Sequence, residues 1–129
     1  MRVAVVGYPF GSNLDELHLL PTAAKVRWAS TPGDLDDVDL VILPGSKHVA
    51  ADVEWLRRRG LADRIVALAG SGTLVLGICG GAMMLGVRIE GVGSTQGLDL
   101  LPISTEMVPE KLTASATVKV VGYPVPGAD

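Results

Sequence analysis

One cysteine, Cys79, stands in a segment whose residue types suit nucleophilic chemistry. An apolar run at 74–78 leads into the sequence Gly-Ile-Cys-Gly-Gly at 77–81, and more apolar residues follow. Strand, sharp turn and helix in this order form a nucleophile elbow, here with sulfur in place of oxygen. Backbone N–H groups at the helix start favour a thiolate, and the Gly80 N–H would face an oxyanion on an acyl substrate. A single cysteine is otherwise most often a small buried side chain, so the functional interpretation depends on the glycines.

The elements that must position this turn follow from hydrophobic patterning. Four continuous apolar runs, 3–6, 26–29, 40–43 and 74–78, predict parallel strands buried on both faces. Helical spacing predicts helices over 49–59 and 61–69, separated by Gly60, and a first helix that carries Leu14, Leu17 and Leu20. Strand and helix in alternation predict an α/β fold with a doubly wound, flavodoxin-like, mostly parallel sheet and helices on both faces.

Beyond Gly86 the pattern changes. Residues 87–110 are rich in Gly, Ser and Thr, with one short apolar run at 98–103. Residues 112–121 alternate between apolar and polar side chains, which predicts a half-exposed antiparallel strand.

Composition bounds the class of protein. The 129 residues make one domain over 1–129, and 48% hydrophobic with 19% charged residues exclude a disordered chain. Eleven basic and fourteen acidic residues, net charge −3, give no reason to expect nucleic acid or a membrane as partner. The apolar runs are too short for a signal peptide or a bilayer span, so we expect a soluble, cytoplasmic protein.

Two kinds of site are missing from the sequence. It contains no phosphate-binding Gly-x-x-x-x-Gly-Lys-Ser/Thr stretch, so we expect no ATP-using synthetase domain. One cysteine and two scattered histidines make no metal-ligand cluster, so we expect neither a metal nor another cofactor.

The two histidines are the candidates for a general base. His48 follows the third predicted strand, and loops at the carboxyl ends of parallel strands form the sites of open α/β sheets. It is the better candidate, because His18 lies on the first predicted helix and is expected at the surface.

Longer stretches resemble a known family. Gly-Ile-Cys-Gly-Gly with Met-Leu-Gly after it resembles the nucleophile segment of class I glutamine amidotransferases. Leu-Pro-Gly-Ser-Lys at 43–47, followed by Asp52 and Trp-Leu-Arg at 55–57, is similar to the glutamine amidotransferase domain of cobyric acid synthases. Further matches follow in order along essentially the whole chain: Ser12-Asn13, Val26-Arg-Trp28, Glu90-Gly91, Gly97 to Pro102 with Thr105, and Gly122-Tyr123.

The resemblance implies an activity. In that family a cysteine attacks the side-chain amide of glutamine, a histidine activates the cysteine, and an acidic residue orients the histidine. The ammonia passes to a separate ATP-dependent synthetase domain that amidates corrinoid carboxylates in cobalamin biosynthesis. By position, the implied roles are nucleophile for Cys79, oxyanion hole for Gly45 and Gly80, and glutamine pocket for Ser46, Gly81 and Met83.

Three departures from the family pattern bear on activity. Met83 stands where the family usually has Gln, and Pro124 and Pro126 replace its Glu and His after Gly-Tyr. The family's catalytic His and its acidic partner lie beyond residue 129, so we expect a domain shortened at its C-terminus with an incomplete triad.

Three hypotheses follow. In the first, the chain is an amidotransferase domain that has lost, or never had, glutaminase activity of its own, and is a fragment, a divergent paralogue or a subunit completed by another chain such as an ATP-dependent synthetase. In the second, it is a working cysteine hydrolase or amidotransferase that uses His48 or a residue from a partner. In the third, it is a non-catalytic binding module. Because missing strands would leave part of the sheet uncovered, we also expect a homo-oligomer.

Overall fold

A four-stranded parallel sheet forms the centre of the computed structural model, which describes residues 1–12, 23–91 and 93–107. Its strands are β1 (Arg2–Val6), β2 (Lys25–Ala29), β3 (Leu40–Leu43) and β4 (Leu74–Gly77), in the order β2-β1-β3-β4. Every neighbouring pair is parallel. All four predicted strands are present, and the parallel α/β fold is confirmed.

The described residues contain three α-helices, α1 (Val49–Arg58), α2 (Leu61–Gly70) and the short α3 (Gly80–Met84), and a 3-10 helix at Pro32–Leu35. Gly60, at φ 74°, separates α1 from α2 in the left-handed conformation that glycine adopts without strain. The helices predicted over 49–59 and 61–69 are thus confirmed. The predicted first helix with Leu14, Leu17 and Leu20, and the predicted strand at 112–121, lie outside the described residues.

The main core lies between these helices and one face of the sheet. It contains Val6 and Leu43 from the strands, with Val53, Leu56 and Ile65 from α1 and α2. On the opposite face, Val3, Val5 and Ile42 form a second buried cluster.

Burial on both faces, expected for all four strands, is found in β1 and β3 but not in β2 and β4. Trp28 on β2 is 60% exposed and Leu74 on β4 is 67% exposed. Both outer strands therefore present apolar side chains to solvent.

A second sheet of three strands follows α3: β5 (Arg88–Gly91), β6 (Gly93–Gln96) and β7 (Ser104–Glu106), in the order β6-β5-β7. Strand β5 pairs antiparallel with β6 and parallel with β7. The sequence did not predict these strands, because they are short and largely polar, and their pattern gives little periodicity. Ile89 of β5 is buried in the main core and so packs this second sheet against the rest of the structure.

Among the helices of the described ranges, none has both the length and the apolar composition needed to cross a bilayer.

Candidate active site

Cys79 occupies the sharp turn between β4 and α3. Its backbone angles, φ 51° and ψ −113°, are ones that residues with a side chain rarely adopt, and such a conformation typically costs about 1–3 kcal/mol. The turn is held by α3, because the Cys79 carbonyl accepts hydrogen bonds from the backbone N–H groups of Ala82 at 3.0 Å and Met83 at 3.2 Å. Cys79 is the N-cap of α3 and is exposed. The strained turn therefore presents a free thiol at the surface.

The glycines around Cys79 are required by close packing. A Cβ atom on Gly81 would collide with the carbonyl oxygen of Leu43, and one on Gly80 would lie 3.0 Å from the backbone nitrogen of Ser46. Helix α3 thus starts directly against the chain that leaves β3. This contact is the steric reason why small residues follow the nucleophile in an elbow.

Two loops meet beside the thiol, one after β1 and one after β3. A Cβ atom on Gly45 would lie 3.8 Å from the Cβ of Cys79 and 3.1 Å from the Oγ of Ser12. The Ser12 N–H donates to the Gly45 carbonyl at 2.8 Å, and the Lys47 N–H donates to the Phe10 carbonyl at 2.8 Å. These bonds join the two loops next to Cys79.

The structure therefore brings most of the predicted site residues together. Gly45 adjoins Cys79, Ser46 adjoins Gly80, and Gly81 lies directly behind them against Leu43. Met83 lies in α3, just after the nucleophile, and its half-buried side chain packs against the main core.

His48, the predicted general base, caps a helix in this structure. It is the N-cap of α1: its Nδ1 accepts a hydrogen bond from the Ala51 N–H at 3.3 Å, and its ring centroid lies 5.3 Å from that of Phe10. A neutral imidazole that accepts at Nδ1 carries its proton on Nε2. For His48 to accept a proton from a thiol at either ring nitrogen, the hydrogen bond from the Ala51 N–H to Nδ1 would have to break. His18 lies outside the described residues.

Two further candidates, Asp52 and Tyr8, were assigned no role from the sequence. Asp52 is fully buried, and its carboxylate accepts hydrogen bonds from the Phe10 N–H at 3.1 Å and from the Ser46 hydroxyl at 2.6 Å. Tyr8 is also buried, and its hydroxyl donates to the Pro44 carbonyl. Burial, and secondly the charge of Asp52, raises the pKa of the Tyr8 hydroxyl well above its ordinary value.

A signal for Asp52 was present in the sequence. Val49, Asp52, Val53 and Leu56 follow the i, i+3, i+4, i+7 spacing of one helix face. An acidic residue on an otherwise apolar stripe marks a buried charge that needs partners. Tyr8 has no comparable signal.

Within the described part of the chain, no group of three or more His, Cys, Asp and Glu side chains is arranged to hold a metal ion.

Comparison with known proteins identifies the family of this site. The model of the CobB/CobQ-like glutamine amidotransferase domain matches residues 2–127. The chain belongs to this family. This amidotransferase domain is 42% identical, over 98% of its length, to the cobyric acid synthase of Rhodococcus jostii (strain RHA1), of which it spans 26%. It is 50% identical, over 81% of its length, to the cobyric acid synthase of Acidovorax ebreus (strain TPSY), of which it spans 22%.

The domain thus spans about a quarter of the length of the curated relatives it matches. Among solved structures, it resembles the crystal structure of a glutamine amidotransferase with a TM-score of 0.64, over 81% of this chain and 55% of that one. That pair is 20% identical, so the likeness concerns the fold. PurLQS from Thermotoga maritima matches with a TM-score of 0.51 and 30% identity, over 65% of this chain and 42% of that one. The amidotransferase resemblance found in the sequence is confirmed.

Proposed function

We propose that Cys79 is the nucleophile of a glutaminase step that supplies ammonia for cobyric acid synthase-type amidation. The observation that carries the proposal is the arrangement at the elbow, with an exposed thiol in strained backbone and Gly45 and Gly80 beside it. Membership of the CobB/CobQ-like amidotransferase family supports the same assignment.

The chemistry has two stages. The Cys79 sulfur attacks the side-chain amide carbon of glutamine, and the carbonyl oxygen becomes an oxyanion. Backbone N–H groups of residues 45 and 80 stabilise this oxyanion, and one such donor typically raises the rate by about 10²–10³. The C–N bond then breaks, the nitrogen takes a proton and leaves as ammonia, and a glutamyl thioester remains. Water attacks the thioester, which releases glutamate and restores the thiol.

The general base comes from one of two sources. His48 supplies it after leaving the α1 cap, or a group outside the described residues supplies it, on this chain or on a partner. A base must stand within hydrogen-bond reach of the thiol. With His48 engaged by Ala51, we propose that the domain by itself hydrolyses glutamine weakly and that a partner chain raises the rate.

The acceptor of the ammonia is a second component. The relatives named cobyric acid synthase are roughly four times as long as the stretch matched here, which leaves room in them for further domains. We propose that an ATP-dependent synthetase, fused or separate, takes the ammonia and amidates corrinoid carboxylates. The reaction takes place in the cytoplasm, where a reduced thiol persists.

The test is intact mass after incubation with 6-diazo-5-oxo-norleucine, an electrophile that mimics glutamine, beside a Cys79→Ser control. The expected result is one adduct that requires Cys79 and is suppressed by glutamine. If the Cys79 thiol reacts with a small neutral reagent such as iodoacetamide but not with the mimic, the elbow lacks a glutamine pocket. The domain is then a binding module instead of a glutaminase.

A further inference from the structure

A buried carboxylate lies directly beneath the loop that flanks Cys79. Asp52 is the one buried charged residue within the described ranges, with no exposed surface on its side chain. It lies in the first turn of α1, where the helix dipole favours a negative charge. Burying an ionised carboxylate is costly unless hydrogen bonds compensate. The hydrogen-bond partners of Asp52 therefore indicate what role the buried charge has.

Those partners come from the two loops that meet at the thiol. One carboxylate oxygen of Asp52 accepts from the Phe10 N–H at 3.1 Å, in the loop after β1. The other accepts from the Ser46 hydroxyl at 2.6 Å, in the loop after β3. Asp52 is therefore a bridge between the loops, fixed on a helix that packs into the core.

The same loop is held at two further points. The Oγ of Ser46 also accepts from the His48 N–H at 3.1 Å, and the Tyr8 hydroxyl donates to the Pro44 carbonyl. Burial keeps Tyr8 protonated, so it remains a donor. Pro44 to Ser46 thus has its position set by side chains from outside the loop, and its inner side faces Cys79 and Gly80.

We propose that Asp52 is a positioning residue of the amidotransferase site, acting through Ser46 to hold Gly45 and Ser46 against the nucleophile. The inference rests on the proposed function, because the loop matters for catalysis only if Cys79 attacks an amide. Misplacement of a catalytic group by about 1 Å can cost roughly 10²-fold in rate. The bridge therefore affects reaction with a glutamine-like substrate more than the intrinsic reactivity of the thiol.

The experiment compares three variants with the native chain. Asp52→Asn keeps the size of the side chain but leaves either the Phe10 N–H or the Ser46 hydroxyl proton without an acceptor. Ser46→Ala removes the link between Asp52 and the site. Val53→Ala is the matched control, since Val53 is the next residue of α1 and is buried in the core.

Two rates are measured below the melting temperature of every variant, namely alkylation of Cys79 by 6-diazo-5-oxo-norleucine and by iodoacetamide. For Asp52→Asn and Ser46→Ala, we expect the first rate to fall by at least about tenfold and the second to stay within about threefold. Val53→Ala should lower the melting temperature and leave both rates within about threefold. Equal loss of both rates in all three variants would reduce Asp52 to an ordinary structural residue and overturn the inference.

Amide hydrogen exchange separates this inference from the proposed function. In Asp52→Asn and Ser46→Ala, we expect exchange at 45–48 to accelerate by at least about tenfold while β3 keeps its protection. If the native chain fails to react with the mimic, the proposed function fails, and the exchange result still decides whether Asp52 holds the loop. If the native chain reacts and exchange at 45–48 is unchanged in both variants, the positioning role is overturned and the glutaminase proposal stands.

Discussion

Gly45 lies against Cys79, close enough that a Cβ atom on the glycine would stand 3.8 Å from the Cβ of the cysteine. The two residues follow different strands, β3 and β4, which are parallel neighbours in the sheet. Their loops leave the sheet at the same edge, and this brings them together. A side chain at position 45 would therefore crowd both Ser12 and Cys79, which is why this close approach of the two loops needs a glycine.

The contact between Gly81 and Leu43 predicts a large loss of stability on substitution. Gly81→Ala would place a methyl group on the Leu43 carbonyl, so either β3 or α3 must move. We expect a loss of about 1–3 kcal/mol or more in the free energy of unfolding, measured by urea denaturation. Gly70→Ala is the control, because a Cβ there meets nothing within 4 Å at the end of α2, and it should be neutral or slightly stabilising. Equal stability of the two variants would contradict the packing described here.

The raised pKa of the Tyr8 hydroxyl predicts that the stability of the folded chain falls at alkaline pH. The pKa of its hydroxyl is raised in the folded state, first by burial and then by the charge of Asp52, while the unfolded value is about 10. The folded state therefore holds this proton more tightly, and its stability falls as pH rises above about 10. Absorbance of tyrosinate should show Tyr8 ionising together with unfolding. In Tyr8→Phe, this ionisation disappears and about 0.5–1.5 kcal/mol of stability is lost with the hydrogen bond to Pro44.

Two substitutions of His48 distinguish its role as a helix cap from a role as general base. Asn is a good N-cap, so His48→Asn keeps α1 capped and removes the imidazole, whereas His48→Ala loses the cap at a cost of about 0.5–2 kcal/mol. If His48 is the base, both variants slow glutamine hydrolysis by about 10²–10⁴. Because Nδ1 is occupied by Ala51, we expect His48→Asn to retain the native rate. A fall of a hundredfold or more would establish His48 as the base.

The exposed apolar side chains of β4 predict self-association. Leu74 is 67% and Leu76 47% exposed. Leu74 also lines an apolar groove of about 480 Å³ between α2 and the chain around Leu100. Exposed apolar patches of this kind are commonly covered by a partner. We expect a dimer or larger assembly in sedimentation equilibrium at micromolar concentration, and weaker association for Leu74→Lys. Glu54→Lys, on the exposed side of α1, is the control. A native chain that sediments as a monomer would refute the prediction.

Most strands and helices of the fold could be predicted from the sequence, because the signals for them are local. Four apolar runs gave the four strands, Gly60 marked the junction of α1 and α2, and the glycines around Cys79 marked the elbow. The second sheet was missed, since the short polar strand β6 has little hydrophobic pattern of its own.

What only the tertiary structure decided is which of these local features meet. The strand order β2-β1-β3-β4 places the loop after β3 beside Cys79, and spacing along the chain does not determine that order. It also decided that Asp52 is buried and bridges two loops, that His48 caps a helix, and that the outer strands β2 and β4 keep apolar side chains exposed. The physical reason is that residue type and spacing fix the local backbone, whereas burial and hydrogen-bond partners depend on segments that are distant in the chain.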